Sequence, residues 1–265
     1  MMDILAAEII QRFYTLLWPM TRISAFLLAA PFFSLQAVTV RIRILLALAL
    51  TVLVYPLIEW PIIAPTSGAG VKELFSQVFI GVLMGLSLQV VSSALVVAGQ
   101  AISATMGLSM ANMIDPNMGN VPVIAQFLLI CSTLIFLGFG GHAIVLRALM
   151  ESFVTLPIGS PLEVQSLIML LIDWSKWLFL GALLVAMPIM VSLLFINMGI
   201  GVITRAAPAL NIFAVGFPAM IMAGILILSM SMPTIGFRIQ SPVSYTHLRA
   251  HETGRNLVCR LLLEK

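Results

Sequence analysis

The chain has 265 residues, of which 61% are hydrophobic and only 9% charged, and its mean hydropathy is +1.14. A soluble domain carries about 25% charged residues, so this chain cannot cover a globule with polar surface, and lipid or other apolar protein must be its solvent. The formal charge of +3 gives no argument for a nucleic-acid partner, and none is expected.

The first apolar stretch runs from about Phe13 to Phe33 and contains Trp18, Pro19 and Arg22. Asp3 and Glu8 make the region ahead of it acidic rather than basic, and no small-residue cleavage site follows, so it reads as a retained span rather than a signal peptide. Ser34–Thr39 is a turn leading to Arg41 and Arg43. A second helix is expected over Ile44–Ile58, closed by Trp60-Pro61. At about 1.5 Å per residue it is short for a hydrocarbon core roughly 30 Å thick. Pro61–Gly70 reads as a loop. The third helix begins at Lys72-Glu73 and runs through Leu74–Val97 towards Met106.

The fourth, Val121 to about Leu149, is interrupted by Gly138-Phe139-Gly140-Gly141. After a turn at Pro157–Pro161, Glu163–Leu180 looks amphipathic, with Asp173 and Lys176 spaced for an i,i+3 pair. The fifth helix continues through Gly181–Met198 around Pro188, and the sixth, Ile212–Met232, contains Pro218 and stops at Pro233. The fold class is therefore an all-α polytopic membrane protein of about six hydrophobic helices kinked by Pro and Gly. Lipid tolerates such breaks only where neighbouring protein satisfies the freed backbone groups, which points to bent helices in an assembly. With six spans both termini share a face. Arg12, Lys72, Arg147, Lys176 and Arg238 lie on that face and Arg41, Arg43 and Arg205 opposite, a slight positive-inside bias towards cytoplasmic termini.

Residues 1–240 form the membrane domain; from Ser241 the character changes abruptly. Val243–Thr253 resembles the translation of a sequencing-library transposon adapter, and 241–265 is expected to be a non-native tail. His247, His251 and Cys259 sit there, so the zinc-like spacing they offer is discounted. No cofactor or metal site is expected.

The segment Thr105–Asn120 between the third and fourth helices is the most informative part of the chain. It carries four methionines, two glycines, one proline and a single acid. It is too polar for an ordinary span and too apolar for an exposed loop, and suits burial in protein or along a cavity at membrane depth. Met106, Met110 and Met113 would share one helical face if the segment is helical, which taken alone core filling explains better; Ser109, Asn112 and Asn117, which interrupt the run, change that weighing. Asp115-Pro116 turns the chain and Met118 follows. Methionine adapts to irregular gaps, and an apolar constriction excludes ions by dewetting, so these residues are candidates for a pore plug.

Gly81 and Gly85 form a GxxxG, and Gly99, Ser103 and Gly107 extend small residues at i,i+4 spacing, a pattern suited to close helix packing within or between subunits. Arg22, near the middle of a span, either faces protein, water or a carboxylate, or snorkels past Pro19 to an interface. No catalytic constellation stands out: His142 is the sole candidate base outside the tail, the aspartates are Asp3, Asp115 and Asp173, and no phosphate-binding glycine loop is present. The chain does not read as an enzyme. A small-molecule secondary transporter of the inner membrane is the alternative that broken helices and Arg22 suggest; it calls for inverted repeats and midplane polar residues in both halves, and neither is clear.

Two blocks carry a family resemblance. Gly99–Asn117, followed by Val121–Phe127, and Gly199–Pro218 resemble the FliR family of flagellar export proteins, and injectisome homologues match these blocks less closely. The resemblance extends over about residues 1–240. It implies a subunit of the type III export gate in the bacterial inner membrane, at the flagellar basal body. That subunit would be assembled with FliP and FliQ, contact FlhB, and pass unfolded export substrates. It also implies a plug in the pore lumen over Met106–Val121, beside a methionine ring from FliP, with structural or partner-facing roles for Arg205, Pro208 and Asn211. The departure from the family pattern is the carboxyl terminus, where the adapter-like tail stands.

Overall fold

The computed structural model describes residues 2–31, 39–58, 60–108, 123–207 and 216–233, with side chains from residue 11 onward. Among the described residues there are seven α-helices and no strands. They are α1 (Met2–Ala29), α2 (Val40–Val54), α3 (Gly68–Thr105), α4 (Val123–Gly138), α5 (Gly141–Thr155), α6 (Val164–Ala206) and α7 (Gly216–Pro233). Four of these, α3, α6, α7 and α2 with its terminal 3₁₀ turn Tyr55–Leu57, are long and apolar enough to cross a membrane. Counting α4 and α5 as one broken span makes five. The expected first span is the one outside this number: α1 carries Arg12, Thr15, Thr21, Arg22 and Ser24 among its apolar residues.

Local chemistry sets the helix ends. Thr39 precedes α2 in extended backbone, and Pro56, lacking an amide hydrogen, helps convert the end of α2 into the 3₁₀ turn. α3 starts at Gly68, four residues before the expected Lys72, because the Ser67 hydroxyl accepts the Gly70 N–H at 3.0 Å and caps the first turn. The anticipated break after α4 is present, with Gly140 at φ +72. The amphipathic stretch and the fifth helix expected after Pro161 are a single helix, α6, which continues through Pro188. Asp173 and Lys176 are both exposed on it. Pro218 lies in the first described turn of α7.

The chain divides into two compact units: residues Met1–Val90 with Ala143–Ser175, and Val91–His142 with Lys176–Lys265. In the first, Trp18, Ile23, Phe26 and Leu27 of α1 are buried together with Ala47 of α2, Ile80 of α3, and Leu149 and Phe153 of α5. The second is built around Ala98, Ile102 and Met106 of α3, Ile124 and Leu128 of α4, Ala182, Ala186, Ile189 and Leu193 of α6, and Met220 and Leu228 of α7. Long apolar faces remain uncovered, among them Leu183, Met187, Leu194 and Phe195 on α6 and Met222, Leu226 and Met230 on α7. Faces of this extent are stable only against lipid or other subunits.

Candidate functional site

In the second unit, α3 ends on a motif that fixes where the methionine-rich segment begins. The Met106 N–H still bonds the Ile102 carbonyl at 3.0 Å, but Gly107 turns left-handed at φ +79. The Gly107 N–H then reaches the Ala104 carbonyl and the Leu108 N–H the Ser103 carbonyl, both at 3.1 Å. This pair of bonds is a Schellman cap, which an L side chain at 107 would strain. Leu108 packs against the apolar cluster, the contact that accompanies such a cap. Gly107 therefore stops a helix, and its lack of a side chain also lets a ring of α7 close over it. α3 itself cannot carry a continuous face from Met106 on to Met110 and Met113.

Met106 is 1% exposed. Its thioether fills the space above Gly224 of α7: a Cβ there would lie 2.5 Å from Met106 Cε, 2.7 Å from Cγ and 2.8 Å from Sδ. The ring of Phe217 covers Gly107, 3.2 Å from where a Cβ would stand. Beside this contact lies a hollow of about 380 Å³ lined by Thr105, Met106, Asn197, Ile200, Phe217 and Met220. Parts of both sequence blocks that carry the family resemblance, Met106-Gly107 from one and Phe217 from the other, thus meet in three dimensions. Met110, Met113, Asp115, Pro116 and Met118 lie outside the described residues, as do Pro208 and Asn211.

The other small residues bring helices of this same chain together. A Cβ at Gly81 would strike the Arg22 carbonyl and Ala25 of α1, and one at Gly85 would strike Ala29. Gly99 abuts the Ala125 backbone of α4, and Ser103 is buried close by on the same helix. Arg205 is exposed in the last turn of α6, where a cation complements the helix dipole. His142 is exposed at the start of α5.

Arg22 faces protein and is fully buried in the first unit. Its Nε donates to Gln77 Oε1 at 2.7 Å, one terminal nitrogen to the Ser152 carbonyl at 2.8 Å and hydroxyl at 3.2 Å, and the other to the Leu156 carbonyl at 2.8 Å. Its guanidinium also sits 4.3 Å over the Phe153 ring. The charge thus caps the carboxyl end of α5, where the dipole is negative, and adds to the bond that the Ser152 carbonyl accepts from the Leu156 N–H at 2.9 Å. Gln77 passes the polarity onward, donating from Nε2 to Glu73 Oε1 at 2.5 Å. Sequence reasoning singled out Arg22 but missed Gln77, Glu73 and the α5 carbonyls. The available signal was a Glu and a Gln one turn apart near the start of a long, largely apolar helix.

Residues 13–244 match the family described as bacterial export proteins, family 1. The chain is 39% identical over 219 residues to flagellar biosynthetic protein FliR of Pectobacterium carotovorum subsp. carotovorum, covering 82% of this chain and 84% of that protein. It is 32% identical to the FliR of Escherichia coli strain K12, with the same shares covered. The FliR of Bacillus subtilis strain 168 is 28% identical over 255 residues, covering 95% of this chain and 97% of the relative.

Proposed function

Because this chain belongs to the bacterial export proteins, family 1, we propose that it is a non-enzymatic gate subunit of the flagellar protein-export apparatus, in which the methionine-rich segment after α3 closes a protein-conducting pore. Its relatives are named as flagellar biosynthetic proteins, and its membrane-length helices suit a place in the bacterial inner membrane, within the basal body. FliP, FliQ and FlhB are the proposed neighbours. The uncovered apolar faces of α6 and α7 are surfaces that such subunits, and lipid, would cover.

The observation that carries this reading is the buried, left-handed end of α3. Met106 anchors one end of the segment in a packed core, and Gly107 redirects the chain beside an apolar hollow. A strip rich in methionine, tethered at a rigid point, can fill an irregular opening and repack when a chain of varied side chains passes. While closed, its apolar surface denies ions a hydrated path. Opening needs only rearrangement, so the energy for export comes from elsewhere in the apparatus. The transporter alternative drew on Arg22 as a charge available to substrate. With its donors committed to Gln77, Ser152 and Leu156, that support is gone.

Deleting residues 109–119 from the chain, in cells that assemble the full apparatus, is expected to raise membrane permeability to ions and small dyes. Background permeability in a fully assembled deletion mutant would end the plug reading. Purification in mild detergent should recover the chain with several small hydrophobic partners, and recovery as an isolated monomer would count against the gate.

A further inference from the structure

We infer that Gly224 is a positioning residue: the inner face of α7 clamps the end of α3 and sets the point from which the methionine-rich segment leaves the core. This deepens the gate reading and rests on it for its functional meaning. Phe217, Met220, Gly224 and Leu228 fall at i, i+3, i+7 and i+11, a single stripe of α7. Met220 and Leu228 on that stripe belong to the core of the second unit. Phe217 lies over Gly107, the residue that reverses the helix, and Gly224 leaves the notch that Met106 fills. The two contacts are two helical turns apart on α7 and adjacent in sequence on α3. Together they fix both the anchor side chain and the turn that follows it.

The notch accepts no larger residue at 224 unless Met106 gives way. A methyl there would overlap three successive heavy atoms of the methionine side chain rather than its flexible tip alone. Met106 is itself closed in by the cluster that includes Ile102 and Met220. A displaced thioether would therefore pull on the Schellman turn and on Leu108, which packs against that cluster. Position 224 thus acts on the segment through Met106, without touching any exported chain.

The test uses the full chain, expressed in a flagellated bacterium lacking its own copy, with Cys131 and Cys259 changed to serine. Export of a secreted reporter and ion leak are measured per assembled copy, which separates positioning from mere loss of folded protein. Gly224→Ala is expected to change export or leak by about tenfold, and to speed thiol labelling at an added Leu108→Cys by about fivefold, as overpacking dislodges the capped end. Adding Met106→Ala removes the atoms that the new methyl meets. The double variant should return to within about twofold of Met106→Ala alone, the non-additivity expected of residues in contact.

Additive losses in the double variant, or unchanged labelling at 108, would overturn the clamp. Should Gly224→Ala fail to assemble, the double variant still decides: assembly and export support the clamp, and failure to assemble refutes it. The two readings fail separately. A deletion of 109–119 that does not leak removes the plug while rescue at 106 and 224 can still hold. A leaking deletion with additive effects at 106 and 224 removes the clamp and leaves the plug.

Discussion

Both units use close glycine packing, at Gly81 and Gly85 in the first and at Gly99 and Gly224 in the second, but among the described residues only the first adds a buried charge. In the first, a buried guanidinium reaches α3 and the end of α5 through hydrogen bonds of 2.7–3.2 Å, each with a required direction. In the second, Met106, Gly224, Gly99 and Ala125 meet through shape alone. A charge held by several oriented partners has one good arrangement, because any shift leaves a buried polar group unpaired. A methionine in a glycine notch is held by fit instead, with no bond direction to satisfy. The first unit thus adds directed polar bonds to its packing, whereas Met106 in the second is held by packing, and the segment proposed to open and close begins there.

Removing the charge is the severest way to break this contrast. Arg22→Met keeps the length and apolar bulk of the side chain but removes the donor to the Leu156 carbonyl and Gln77 Oε1, and leaves the Ser152 carbonyl with the Leu156 N–H. Loss of one partner from a buried ionic network typically costs about 3–5 kcal/mol, and detergent denaturation of the purified chain should register a loss of that order. Arg22→Lys is expected to recover less than half of it, since one ammonium cannot reproduce a fork spread over two helices. Arg22→Met unfolding at the wild-type midpoint would mean that the node holds nothing and that the two units do not differ in this way.

Glycine in the second unit sharpens the contrast. Gly99→Ala drives a methyl into the Ala125 backbone, and overpacking of this kind costs about 1–3 kcal/mol. Gly201 of α6 has open space around its Cβ position. There the same substitution is expected to be neutral or to stabilise by roughly 0.5–1 kcal/mol through helix propensity. The measurement is the difference between the two variants in one denaturation series. Equal effects would show that close approach, rather than glycine content, has been misassigned as what holds α3 to α4.

How far the sequence disclosed this depended on the range of the interaction. The apolar runs and the break at Gly138–Gly141 are local signals, and the described helices follow them closely. Ser67 was equally local and still went unused, because a single serine in a Pro/Gly-rich loop reads first as loop. Gly107 was read only in part for a related reason: at i,i+4 from Ser103 it continues a small-residue stripe, and only its φ of +79 reveals that it is also a cap. Arg22 declared itself as a charge in an apolar run. Its partners at Ser152 and Leu156 lie about 130 positions away, and two of its bonds go to backbone carbonyls, which every residue type supplies. Gly224 carried no signal, since a glycine in a membrane helix is ordinary until its neighbour is known.

The smallest expected effect comes from another arginine of the first unit. Arg147 Nε bonds Glu151 Oε1 at 2.8 Å along α5, a shorter contact than the Arg22 bond to the Ser152 hydroxyl. Distance alone would rank it with the node. Its side chains, however, are 66% and 48% exposed, so both ions keep much of their hydration and the attraction is screened. The pair also runs from Arg to Glu along the helix, the less favourable order against the dipole. Arg147→Ala is therefore expected to shift stability by no more than about 0.5 kcal/mol, several-fold less than Arg22→Met in the same unit. A loss approaching that of Arg22→Met would place Arg147 against another subunit or in the low-dielectric part of the membrane, and burial within this chain would no longer account for what distinguishes the two arginines.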